Sequence, residues 1–171
     1  VTRISDIGRR LAADGPFDPA YTVPHTTAHV GTLKGGTALN IVPDACRFVF
    51  EIRHLTSQPA EPLIAEVERF ARDELEPAMR AVHADAGVRF TRTSRVPGFD
   101  IAADHELVRT VARLADHGVA GKVAFGTEAG LFTEWLGVPS VVCGPGDIAQ
   151  AHKPDEFVTA AQLQACERFV D

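Results

Sequence analysis

The chain has 171 residues, 45% of them apolar, and a net charge of −6 with acids and bases interspersed. That is enough apolar content for one packed domain or two small ones, and the missing basic stripe excludes a nucleic-acid partner. No apolar run is long enough to cross a bilayer and no charged-then-apolar leader opens the chain, which implies a cytoplasmic protein without a membrane partner.

Val1, Ile4, Ile7 and Leu11 fall at helical spacing, and Asp14-Gly15-Pro16 supplies a helix stop. No capping residue precedes that stripe and no methionine opens the chain, so the sequence is expected to begin inside a helix of a longer protein. After a loop rich in proline and aromatics (15 to 24), Thr26 to Leu33 reads as a strand and Lys34-Gly35-Gly36-Thr37 as a turn. Cys46, Phe48, Phe50 and Ile52 alternate with Arg47, Glu51 and Arg53, the pattern of a strand with one buried and one wet face. Pro59 and Pro62 suit a first helical turn, and Leu63, Val67, Phe70, Leu75 and Val82 continue a helix that Pro77 should kink or break. Gly87 then introduces a short strand, Val88 to Thr93. Residues 1–95 therefore read as helix, strand, strand, helix, strand. With one strand before Val1 this becomes a ferredoxin-like β-α-β-β-α-β layer.

From Val96-Pro97-Gly98 the pattern changes to helices alternating with short apolar strands. Asp104 can cap a helix carrying Leu107, Val108, Val111 and Leu114, closed by His117-Gly118. Val123 to Phe125 reads as a buried strand, "GTEAGLFTEWLG" as a helix with a glycine stop, "VPSVVCG" as another buried strand, and Thr159 as the cap of a last helix bearing Leu163, Cys166, Phe169 and Val170. The fold class is thus α/β overall: an α+β layer over 1–95, then an α/β part over 96–171 with the boundary between Arg95 and Phe99. Cys46, Cys143 and Cys166 are odd in number and far apart, and each lies in an apolar context suited to a buried structural thiol.

Several chemistries are excluded by motif. The serines, at 5, 57, 94 and 140, include none in a nucleophile elbow, and there is no Walker sequence and no H-E-x-x-H. Gly144-Pro145-Gly146 with Ala149 superficially matches a dinucleotide fingerprint, but His152-Lys153-Pro154 follows where a helix must run. His25 and His29, four apart, would pair on a helix but lie in a strand context, where they are loop and strand histidines. His152 stands in "GPGDIAQAHKPDE", after a strand and a turn, in the position where α/β folds gather ligand-binding loops. It is a metal ligand with Asp155 or Glu156 behind it, or a polar residue on an exposed loop. One histidine is in any case too few for zinc, which needs three or four ligands. "FGTEAG" leaves a strand and enters a helix whose first turn, Gly126, Thr127 and Glu128, can bind an oxyanion or simply cap the helix. By default Asn40 is a turn residue and Arg53 a solvated charge.

Together, "GTLKGGTALNIVPDACRFVFEIR" (31 to 53) and "AFGTEAGLFTEWLGVPSVVCGPGDIAQAHKPDE" (124 to 156) resemble the zinc-dependent aminoacylase and carboxypeptidase superfamily, in its acetylornithine deacetylase branch. The resemblance implies a ferredoxin-like lid that mediates homodimerisation over residues 1–95, lacking its first strand, and the carboxyl-terminal part of the catalytic domain over 96–171. It implies that His152 is the histidine of the A-H-x-x-D/E motif and binds zinc, or cobalt in its place. By the same resemblance, Asn40 and Arg53 reach a substrate carboxylate, often across the dimer, and Gly126, Thr127 and Glu128 form the turn beside the substrate. An arginine suits that task because its planar fork grips a carboxylate with two parallel hydrogen bonds. The family's H-x-D stretch, bridging aspartate and paired glutamates do not occur in this sequence. The expectation is an inactive span of an enzyme that hydrolyses N-acetylornithine to ornithine and acetate in arginine biosynthesis. The alternatives are a related acyl-amino-acid deacylase or peptidase, and a non-catalytic dimerisation or binding module.

Overall fold

The structure is a computed structural model that describes residues 1–116 and 120–171, so the expected helix stop at His117-Gly118 lies outside the described residues. Two compact units divide the chain, Val1–Gly98 and Phe99–Asp171.

In the first unit, helix α1 (Thr2–Asp14) turns Ile4, Ile7 and Leu11 inward, each almost wholly buried. Gly15, at φ 73, ends it, and the N–H of Gly15 closes the last turn on the carbonyl of Leu11. Strands β1 (Thr27–Gly35) and β2 (Cys46–Arg53) form an antiparallel pair in which Thr27 faces Arg53 and Gly35 faces Cys46. The register slips between Val30 and Thr32, so Gly31 is the extra residue of a bulge, a place glycine suits.

One face of this pair carries the helices. Ile4, Ile7 and Leu11 from α1 cluster with Leu63 and Val67 from α2 (Glu61–Phe70), and Ala28, Val30, Phe48, Phe50, Ile52 and Phe90 pack against them. The alternation read in 46–53 thus holds from Phe48 to Ile52. Gly8 lets α1 lie close on β1, because a Cβ there would come within 2.7 Å of the Ala28 carbonyl oxygen. Outside the core, Arg10 grips both carboxylate oxygens of Glu66 on α2, at 3.1 and 2.6 Å, and the Arg3 guanidinium lies over the Phe70 ring. The Arg10 bond holds the Glu66 carboxyl below its ordinary value of 4.5.

Pro77 does not break the long helix. Between α2 and α3 (Glu76–Val82) the backbone widens into one π-helical turn, Ala71–Leu75. Proline has no N–H to give, and a wider turn relieves the clash of its ring with the preceding turn. Glu76 follows, buried, and its carboxylate accepts from the backbone N–H of Val88 and from Arg80. The bond from Val88 ties that residue's segment to the helix. The expected strand Val88 to Thr93 keeps a strand's alternating burial at Val88 and Phe90 but pairs with no ladder among the described residues, so it is an extended segment.

The second unit carries α4 (Glu106–Leu114), α5 (Ala129–Leu136), a short 3-10 turn at Ile148–Gln150 and α6 (Ala160–Val170). His105, not Asp104, caps α4, its Nδ1 accepting from the N–H of Leu107 at 3.1 Å. Gly137, at φ 64, ends α5 as the sequence predicts. The expected strands at 123–125 and 138–144 have no ladder among the described residues. An apolar run becomes a strand only where a neighbour takes its backbone hydrogen bonds. The described residues are therefore α+β, with one two-stranded sheet.

The cysteines correct another expectation. Cys46 and Cys143 are exposed and Cys166 is half-buried. Cys46 opens β2 opposite Gly35, beyond the reach of the packed helices, and Cys143 lies in the unpaired 138–144 segment. No described helix is long and apolar enough to cross a membrane.

Candidate functional site

The residues singled out in the sequence lie on both units. In the first, Asn40 stands on the connection between β1 and β2, in a turn closed by the N–H of Ile41 on the carbonyl of Ala38. It is exposed, as are the flanking Leu39 and Val42. Arg53 ends β2 at the opposite end of the ladder, on the wet face. There it is ion-paired: its Nε lies 2.7 Å from an oxygen of Glu51, two residues earlier on the same face. The other Glu51 oxygen lies 3.9 Å from His29 Nε2, and His29 is the residue directly across the ladder from Glu51. A carboxylate thus stands beside the arginine expected to take a ligand's carboxylate.

In the second unit Gly126, Thr127 and Glu128 form the approach to α5, with Gly126 and Glu128 exposed. Thr127 Oγ1 accepts from the N–H of Ala129 at 3.2 Å, so the hydroxyl caps the helix start. Glu128 sets the first turn through its backbone, its carbonyl accepting from Leu131 and Phe132. The two readings of this turn differ in which group takes the first amides. One of them is taken by the chain itself.

His152 is exposed and sits at φ 59, in the left-handed region that few non-glycine residues enter. Its N–H donates to Glu156 Oε2 at 2.8 Å. Glu156 therefore holds the backbone of the motif, where the sequence suggested a carboxylate against the imidazole. The ring is not packed away among aliphatic neighbours.

A pair of glutamines that sequence reasoning missed anchors this loop. Asp147 and Thr159 each head a capping box, accepting from first-turn amides while Gln150 and Gln162 reach back to them. The same glutamines then bond to each other: Gln162 Nε2 donates to Gln150 Oε1 at 2.8 Å, and Gln150 Nε2 to Gln162 Oε1 at 3.3 Å. The loop bearing His152 is clasped at both ends. The spacings D-x-x-Q and T-x-x-Q were visible in the sequence, whereas the bond between the two boxes was not.

Zinc requires three or four nitrogen, sulfur or oxygen donors. Among the described residues no group of three histidine, cysteine, aspartate or glutamate side chains converges. The described residues by themselves do not fit the metal that the motif implies, and His152 is a single donor among them.

Comparison with known proteins adds what geometry alone does not. Residues 3–79 match the sequence model of the peptidase dimerisation domain. The chain is 42% identical over 154 residues to the acetylornithine deacetylase of Myxococcus xanthus, covering 88% of this chain and 38% of that protein. It is 39% identical over 146 residues to the N-acetyl-L-citrulline deacetylase of Xanthomonas campestris pv. campestris, covering 84% and 36% respectively. It is 30% identical over 164 residues to the acetylornithine deacetylase of Proteus mirabilis, covering 96% and 40%. The chain spans about two-fifths of the length of these relatives.

Proposed function

We propose a function for a chain whose residues 3–79 match the peptidase dimerisation domain and which is similar over most of its length to acetylornithine deacetylases. It forms the dimerisation lid and one metal-bearing loop of a zinc-dependent amidohydrolase that converts N-acetylornithine and water to ornithine and acetate, a step of arginine biosynthesis. The observation that carries this reading is the 42% identity to a deacetylase over 154 residues, 88% of this chain.

Each residue then has a task. Residues 1–95 pair two copies into a homodimer. Because Arg53 and Asn40 stand at opposite ends of one ladder, they reach a substrate carboxylate from different copies of that dimer, and Gly126, Thr127 and Glu128 form a substrate-facing turn. His152 supplies one imidazole to a metal whose other ligands lie outside this chain. Bound there, zinc or cobalt would polarise the amide carbonyl and activate water. The fixed backbone of 144–156 supports the role of His152, because a ligand must be held by its surroundings if it is to select a geometry. With one donor among the described residues, this span alone is proposed to be inactive.

The identities to the two named deacetylases are nearly equal, 42% and 39%, which favours a second substrate, N-acetylcitrulline, as the close alternative. The two differ at the end of the side chain, a cationic amine against a neutral ureido group. Assay of the full gene product on both substrates, with and without a chelator, tests the proposal. Deacetylation of N-acetylornithine that stops on chelation and returns with zinc is the expected result. Activity indifferent to chelation, or none on either substrate, overturns it.

A further inference from the structure

We infer that Glu51 is a positioning residue for Arg53, fixing the guanidinium in the orientation in which it meets a ligand carboxylate. The inference rests on the carboxylate-binding role proposed for Arg53. Its own ground is the geometry of the wet face of β2. Residues two apart on a strand point the same way, so Glu51 and Arg53 stand side by side there, and the 2.7 Å contact joins a carboxylate oxygen to Nε. Glu51 is in turn set by the ladder: it lies directly across from His29, whose Nε2 is 3.9 Å from the second oxygen.

An arginine side chain on an exposed strand has many rotamers open to it, and each neighbour that narrows them lowers the cost a ligand meets in freezing the rest. A partner that already holds Nε removes much of that cost before the ligand arrives. The opposing effect is charge, since Glu51 is negative and so is the proposed ligand group. Both Glu51 and Arg53 are about half exposed, at 47% and 57% of their side-chain surface. Repulsion between like charges is damped in so wet a setting, while an ion pair at 2.7 Å still restricts the planar guanidinium it touches. Orientation therefore outweighs repulsion.

The two effects separate by substitution. Glu51→Gln keeps an acceptor for Nε and removes the charge, whereas Glu51→Ala removes both. KM and kcat for N-acetylornithine are measured with the full-length enzyme and its Arg53→Ala, Glu51→Ala and Glu51→Gln variants. Arg53→Ala should raise KM, and Glu51→Ala should raise it by about three- to tenfold with kcat within about twofold, the mark of lost uniform binding. Glu51→Gln should restore KM to within about twofold of wild type, since an oriented acceptor remains. Wild-type KM in Glu51→Ala together with a raised KM in Arg53→Ala would overturn the inference and leave the carboxylate grip standing. An equal rise in both Glu51 variants would also overturn it, because charge and not orientation would then matter. Wild-type KM in Arg53→Ala would remove the grip itself and the inference with it.

Discussion

Arg53 illustrates what a lysine cannot replace. A guanidinium offers a rigid fork that a carboxylate matches on two sides, and an ammonium offers a point charge. Arg53→Lys in the full-length enzyme is therefore expected to behave nearly like Arg53→Ala, with KM raised about tenfold or more and bound metal unchanged, since loss of a charge-assisted pair costs of the order of 1.5 to 3 kcal/mol. Steady-state kinetics beside metal analysis check this, and a lysine variant at wild-type KM would deny the fork any role. Glu76 makes the opposite case, a charged residue with a structural task. Its buried carboxylate takes the Val88 N–H and Arg80, so Glu76→Ala should lower stability by about 2 kcal/mol through the amide and guanidinium left without a partner. Denaturant unfolding reads that loss directly. The spacing of four to Arg80 is written into the helix, but the Val88 N–H lies on a segment whose course the chain alone does not specify, so the burial of Glu76 was not legible. Asn40 and His152 were visible as residues but not as geometry: a turn and a left-handed loop fix them, and neither has a period to read.

At the scale of elements, legibility followed local physics. The apolar stripe of α1, the stop at Gly15, the alternation in β2 and the Thr159 cap all depend on neighbours a few residues away, and each could be read. The strands expected at 88–93, 123–125 and 138–144 could not be settled in that way, since a strand exists only through a partner elsewhere. Pro77, expected to kink or break the helix, is accommodated by a π-helical turn at Ala71–Leu75. At Gly8, α1 lies against the Ala28 carbonyl of β1 with no room for a Cβ. Gly8→Ala should push the helix off the Ala28 carbonyl and cost about 1 to 3 kcal/mol, overriding the usual gain of alanine in a helix. Thermal unfolding checks the sign, and a stabilised variant would mean that α1 does not lie so close. The Arg10–Glu66 pair joins α1 to α2 with a pH dependence of known sign. Glu66 is held below its ordinary value of 4.5, so the stability it contributes is present above that pH and is lost as pH falls through the lower, folded value. Half of the Arg10 side chain is exposed, which limits the effect to about 1 kcal/mol or less. Glu66→Gln should flatten the acid limb of the stability profile, and an unchanged limb would leave the pair without energetic weight.

At the scale of the whole molecule, the second unit exposes apolar side chains that a finished surface seldom leaves open, among them Phe132, Trp135 and Leu136 on α5. Together with the two-fifths of the relatives' length that this chain spans, those surfaces support the proposal that its loop works within a larger catalytic body. The function proposed depends above all on one imidazole donating to a metal held jointly with ligands from elsewhere. The most direct test is the zinc content of the purified full-length protein, wild type against His152→Ala, at matched folding and at defined free zinc. The ligand role of His152 predicts that the substitution lowers bound zinc and its affinity at least about tenfold, the scale of losing a metal-site interaction, while the Arg53→Ala protein keeps the wild-type content. Wild-type zinc content and affinity in His152→Ala would contradict it.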